Sequence, residues 1–159
     1  MTAPKPLKSF YSTRDRSQGI YTPSCLLAPL RELWGAIELD PCSGPYSIVG
    51  AKEAWTSGGL NRPWRDCTYV NPPFKYSKEW LGLAIAEGAL GNRIALLAPA
   101  RGHRRWFRAA AHSASTVVDL DPVKFVGYTS AFPAPLCLLY WGKDWEAFER
   151  AYEDLGDPR

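Results

Sequence analysis

The residues of this chain whose types and order could do chemistry are Asn71-Pro72-Pro73-Phe74, reached at the end of the apolar run Cys67-Thr68-Tyr69-Val70. An amide, two prolines and an aromatic at the mouth of a strand can hold a planar amine for attack on a methyl donor. The lone pair of an exocyclic amine is delocalised into its ring. It becomes a useful nucleophile only when hydrogen-bond acceptors draw the nitrogen toward tetrahedral geometry, so two acceptors must sit side by side. The side-chain oxygen of Asn71 supplies one and the backbone carbonyl of Pro72 the other. Proline fixes φ and removes competing N–H donors, which keeps the turn rigid with its carbonyls aimed outward. Phe74 then offers a face on which a flipped-out base stacks. Proline pairs also occur in plain loops. The place of this one, between a strand-like run and the helix-like segment Ser77 to Leu90, favours the chemical reading.

A second anchor is Ile37-Glu38-Leu39-Asp40-Pro41-Cys42-Ser43-Gly44, a short strand ending in a carboxylate and a loop of small residues. In nucleotide-binding α/β folds, a carboxylate at the C-terminal end of a strand before a Gly-containing turn lies where a cofactor crosses the switch point of the sheet. Asp-Pro-x-x-Gly is also ordinary turn chemistry, so taken alone it leaves both readings open.

Together and in this order, the two motifs resemble the phage-type DNA N6-adenine methyltransferase family. The resemblance runs through most of the chain: Tyr21-Thr22-Pro23 with Leu26, Leu27 and Leu30 is similar to the family's opening Thr-Pro helix. Leu39 to Ser43 is similar to its first cofactor loop, Gly59-Leu60 with Trp64 to the segment before the tetrad, and Leu97 to Arg101 with Trp106-Phe107 to the strand and helix after it. Val123-Lys124-Phe125 and Phe132-Pro133, ahead of the apolar run Leu136 to Trp141, resemble its ending. Two segments depart from the pattern: Gly44 is followed by Pro45-Tyr46 rather than a second glycine, and Arg101 by Gly102-His103-Arg104-Arg105.

The alternation of strands and helices implies a mostly parallel sheet with helices on both faces and an antiparallel strand near its end, and the resemblance implies a compact Rossmann-like α/β fold for S-adenosylmethionine-dependent methyl transfer. It implies Asn71, Pro72, Pro73 and Phe74 as the catalytic tetrad, and Tyr21, Thr22, Pro23, Asp40, Pro41, Cys42, Ser43 and Asn71 around S-adenosylmethionine. The resemblance implies DNA as the partner, expected as duplex with a flipped adenine, and the basic residues Lys75, Arg101, Arg104 and Arg105 are the candidates to contact it. A phage or prophage origin, hence a bacterial cytoplasm, is implied too. The same tetrad serves methylation of cytosine N4 or a protein glutamine amide. An inert DNA- or protein-binding module on the same fold is the non-enzymatic alternative.

Composition fits one small domain spanning residues 1–159. With 46% hydrophobic residues the chain can bury one good core, and nothing in it suggests two. No run approaches the roughly 20 apolar residues of a membrane span, and the polar N-terminus lacks the apolar stretch of a signal peptide, so a soluble intracellular protein is expected. Cys25, Cys42, Cys67 and Cys137 are 17, 25 and 70 positions apart, which suits neither a disulfide framework nor a zinc site; no metal is expected. Neither His103 nor His112 starts a His-x-Glu, which argues against zinc deamination. A C5-cytosine enzyme built on Pro41-Cys42 would leave the tetrad without a role.

Net charge is only +3, but it is unevenly spread. Lys5, Lys8, Arg14 and Arg16 face only Asp15 in residues 1–20, a candidate basic arm, and Arg101, His103, Arg104, Arg105 and Arg108 have no acid among them. From Lys143 onward acids outnumber bases six to three. Such asymmetry suits a protein that grips phosphates on one face, although a solvated helix face reads similarly.

The elements that must position these residues alternate. Thr22 as N-cap with Pro23 at the first helical position opens a helix to about Leu33, with Pro29 as a possible break point. Strands are expected at about 36–40, 67–70, 93–98, 115–120 and 136–141, the second preceded by a long irregular stretch. Helices are expected over 77–90, through Trp106 and Phe107, and from about Asp144. Trp80 and Trp106 read as core, whereas Trp55 and Trp64 are candidate ligand contacts. Target reading would fall to short loops, 43–66 or 127–135, and the sequence leaves monomer and homodimer equally open.

Overall fold

The computed structural model describes residues 20–45 and 47–159; of the expected basic arm at residues 1–20, only Ile20 lies within them. Helix α1 (Ser24–Trp34) is followed by strands β1 (Leu39–Asp40), β2 (Glu53–Ala54) and β3 (Thr68–Val70). A single 3-10 turn (Phe74–Tyr76) leads into α2 (Ser77–Ala89), then β4 (Ile94–Pro99), α3 (Arg105–Ser113), β5 (Thr116–Leu120), β6 (Leu136–Trp141), α4 (Trp145–Ala151) and β7 (Gly156–Pro158).

All seven strands form one sheet in the order β2-β1-β3-β4-β6-β5-β7. β1 pairs in parallel with both β2 and β3, and β3 in parallel with β4. β6 is antiparallel to β4 and β5, and β7 antiparallel to β5. The expected antiparallel strand near the end is present, but the mostly parallel sheet is corrected to a mixed one, half its pairings being antiparallel. The cause is that β6 enters between β4 and β5 from a non-helical connection, 121–135, which delivers it running the other way; a parallel arrival would need a crossover.

Both faces are covered. β3, β4 and β6 alternate their side chains with the pleat. Tyr69, Ala95, Leu97, Leu138 and Tyr140 enter one core with α1, α4 and the aromatic segment 123–132. Val70, Ile94, Leu96, Ala98, Leu139 and Trp141 enter the other with α2, α3 and the tryptophans Trp55, Trp64 and Trp80. That is why Ile94–Pro99 and Leu136–Trp141 are apolar without alternation and buried throughout, as strands sandwiched between helical layers must be.

Two local expectations are revised. Pro29 does not break α1, which runs unbroken to Trp34; the turn around it is tied from outside, where the Tyr152 hydroxyl donates to the Leu26 carbonyl at 2.6 Å. The N-cap is Pro23 rather than Thr22, because the Thr22 hydroxyl is engaged elsewhere.

Candidate functional site

From β1 the chain passes to β2 on one side and then to β3 on the other. The order of strands therefore reverses between β1 and β3, and a crevice opens outside the carboxyl ends of two such parallel strands. Asp40 is the last residue of β1, and Asn71 immediately follows β3. The two motifs that the sequence singled out sit at the two lips of this switch point.

At the β3 lip, Pro72 and Phe74 are buried and Asn71 is half-buried. The Tyr76 N–H donates to the Pro73 carbonyl at 2.9 Å and the Ser77 hydroxyl to the Phe74 carbonyl at 2.7 Å. These bonds close the turn and start α2, so the tetrad is clamped between a strand and a helix. Asn71 donates Nδ2 to the Ile20 carbonyl at 2.9 Å. That bond fixes which way the amide faces and leaves Oδ1, an acceptor only, for an incoming N–H.

The segment Ile20-Tyr21-Thr22 runs across the lip as a strap. Besides the Ile20 carbonyl, Thr22 Oγ1 shares a buried hydrogen bond with the Tyr69 hydroxyl at 2.7 Å, and the Tyr21 carbonyl accepts from the Val126 N–H at 3.1 Å. The Tyr21 ring lies so close over Gly44 that a Cβ there would approach it to 2.7 Å. Tyr21 of the opening Tyr-Thr-Pro and Gly44 of the loop after β1, 23 residues apart in sequence, are thus packed together at this end of the sheet.

At the β1 lip, Asp40 is 2% exposed. Its Oδ1 accepts from the Cys42 N–H at 3.1 Å and its Oδ2 from the Ser47 hydroxyl at 3.5 Å. Burial pushes its pKa up to about 6, and hydrogen bonds from Cys42, Ser43 and Ser47 offset that only in part. No cation among the described residues pairs with it. Pro41 is buried, and its carbonyl contacts the Cα side of Gly59 so closely that no side chain would fit there. Burial, with Asp40 nearby, raises the Cys42 thiol to about 12, which favours the thiol over the nucleophilic thiolate at neutral pH.

The remaining candidates divide. Lys75, Arg104 and Arg105 are exposed and Arg101 half-buried. They follow β3 and β4, whose parallel pairing (Val70↔Leu96) puts their carboxyl ends side by side. All therefore rim the same end of the sheet as Asp40 and Asn71. Phe74, by contrast, is only 8% exposed, with the Phe132 ring edge-on at 5.2 Å and Phe125 at 6.3 Å; little of its face is open to a base while Phe132 stays in place. Trp64 and Trp55 are corrected from ligand candidates to core. Trp64 stacks on Trp80 at 6.0 Å and donates Nε1 to the Gly59 carbonyl at 2.8 Å. Trp55 is 7% exposed and donates Nε1 to Glu53, with the Arg62 guanidinium 3.8 Å over its ring. Their place in an irregular stretch suggested solvent; tertiary packing of that stretch onto α2 buries them.

Three partners in the site carried no sequence signal: the Ile20 carbonyl, Ser47 and Tyr69. Each acts through a contact that only the folded chain creates. A cavity of about 1030 Å³, lined by Asp66, Arg93, Trp141 and Asp144 among others, lies at the opposite end of the sheet and contains none of the sequence-derived candidates. Among the described residues no cluster of three or more His, Cys, Asp or Glu could hold a metal ion, and no helix is long and apolar enough to cross a membrane. The chain matches no protein-family model, no curated protein and no solved structure.

Proposed function

We propose that the protein is an S-adenosylmethionine-dependent DNA methyltransferase that modifies the N6 amine of adenine. The observation that carries this reading is the pair Asp40 and Asn71 on the adjacent carboxyl ends of β1 and β3, across the reversal of strand order. A carboxylate whose pKa is raised by burial, with no cation paired to it among the described residues, suits a ligand that carries positive charge, as S-adenosylmethionine does at its sulfonium and amino groups. Asp40, the 41–44 backbone and Tyr21 would hold that cofactor. When bound, it supplies a methyl group already activated by its sulfonium.

The rest of the chemistry falls to alignment and charge. Asn71 Oδ1 and the Pro72 carbonyl accept the two amine hydrogens and draw the nitrogen toward tetrahedral geometry. An amide is a poor base, so the amine proton leaves to water after the transfer. The rigidity of Pro72-Pro73 and the Ile20 bond to Asn71 keep both acceptors in place without reorganisation.

The DNA reading has its own support. Arg104 is the N-cap of α3 and Arg105 its first residue, with no carboxylate partner among the described residues. Cations at the positive end of a helix dipole cost about 0.3–1 kcal/mol each. A polyanion laid across the rim offsets that cost.

The test is radiolabelled methyl transfer to unmethylated duplex DNA with nucleoside analysis, using Asn71→Ala as control. Label in N6-methyladenine that disappears in the variant is expected. Label in N4-methylcytosine or in protein would move the substrate assignment. No transfer together with no calorimetric cofactor binding would leave a binding module, a state for which the Tyr21 ring packed over Gly44 is the structural motive.

A further inference from the structure

Resting on the DNA reading above, we propose that Tyr76 is the wedge that fills the base stack when the target nucleotide is turned out of the duplex. Extrusion of a base leaves a gap between its neighbours, and proteins that open base steps commonly insert an apolar or aromatic side chain. Such a side chain must be flat, exposed, held rigidly beside the pocket that receives the base, and close to a phosphate-neutralising cation.

Tyr76 meets each requirement. It is 48% exposed, two residues beyond the buried Phe74. Its N–H is bonded to the Pro73 carbonyl at 2.9 Å, so its backbone moves with the tetrad. The Lys75 ammonium lies 5.1 Å from its ring centroid, within cation–π range and free to reach a phosphate. The other exposed large apolar residues do not compete. Leu90 and Trp145 lie on segments at the far end of the sheet, and Ile48 and Leu60 lie on the loops after β1 and β2, outside the turn that is hydrogen-bonded to the tetrad. Phe74, two residues earlier, is enclosed by Phe125 and Phe132. The inner aromatic is therefore packed behind the tetrad, and the outer one is placed to enter the duplex.

A wedge matters only where a stack must be opened, so the readout is the ratio of kcat/KM on unmethylated duplex DNA to kcat/KM on the same DNA heat-denatured. Tyr76→Ala should lower this ratio about tenfold, the order of one lost aromatic–base stack, and Tyr76→Phe should restore it. An unchanged ratio in Tyr76→Ala, whether through equal loss on both substrates or no loss at all, would overturn the assignment; so would failure of Tyr76→Phe to restore it. A wild-type protein that methylates neither substrate would mean instead that the methyltransferase reading has failed, and this inference with it.

Discussion

Asn71→Asp separates the roles of position 71. If that residue acted as a base, a carboxylate would speed the reaction. The geometry argues the reverse, because Nδ2 donates to the Ile20 carbonyl at 2.9 Å in a half-buried setting. A carboxylate would place two acceptors face to face at that distance. Losing the bond and leaving a partly buried acceptor unpaired costs about 1–3 kcal/mol, which is about a 5- to 150-fold change in any equilibrium that needs the strap in place. For a domain of this size that is a fall in Tm of about 2–4 °C per kcal/mol. The pH dependence has a definite sign. A protonated carboxyl can donate to the Ile20 carbonyl as the amide does, so the folded-state pKa of the new acid is raised. Stability of the variant should then be highest below about pH 4 and fall as pH rises through that raised pKa. Thermal melts of wild type and variant across pH 4–8, run beside methyl-transfer rates, give both halves. An Asn71→Asp protein with wild-type Tm at pH 7 and an equal or higher rate would refute the argument that the amide is held by Ile20.

Three other outcomes follow from particular contacts. Burial raises the Asp40 carboxyl from 3.8 to about 6, so the folded state holds that proton more tightly than the unfolded chain. Its contribution to stability is full below about pH 4 and is lost, to the extent of about 2–3 kcal/mol, as pH rises through about 6; comparison of pH-dependent melts for wild type and Asp40→Asn should show the variant without that slope. Calorimetry should show cofactor binding to wild type strengthening over the same interval, as the carboxylate forms. Thr22→Val leaves the buried Tyr69 hydroxyl without its 2.7 Å partner and should cost about 1–3 kcal/mol in urea melts, whereas adding Tyr69→Phe should recover most of the loss. Arg104→Ala with Arg105→Ala should weaken binding to duplex DNA of any sequence and reduce the slope of log K against log salt by about 1.8, two phosphate contacts' worth, measured by fluorescence anisotropy across a salt series.

The long strands and helices were legible because their signals are local. Leu136 to Trp141 is observed with the expected bounds and α2 within a residue of them, since an apolar run that long, or an apolar stripe at helical spacing, has one economical burial. β2 and β7 were not legible. They are short edge strands, of two and three residues, and their pairing is decided by the neighbour they meet rather than by their own composition. An antiparallel strand near the end of the sheet was expected from the element order, but the insertion of β6 between β4 and β5 was not, because a strand buried on both faces has the same sequence whichever neighbours it takes.

For the candidate site the division is similar. Residue type and local order alone determined the chemistry on offer: an amide and a proline carbonyl at a strand end, a carboxylate before a small-residue loop, cations clustered after β4. Only the tertiary structure decided that these lie at one end of one sheet, on either side of the point where strand order reverses. It also decided that the Ile20 carbonyl orients Asn71, that Tyr21 covers Gly44, and that Phe74 turns inward while Tyr76 stays outside. The physical reason is range. Rotamer, turn and strand preferences act over a few residues, whereas the contacts that orient Asn71 and bury Asp40 close over tens of residues and exist only once the sheet has brought their partners together.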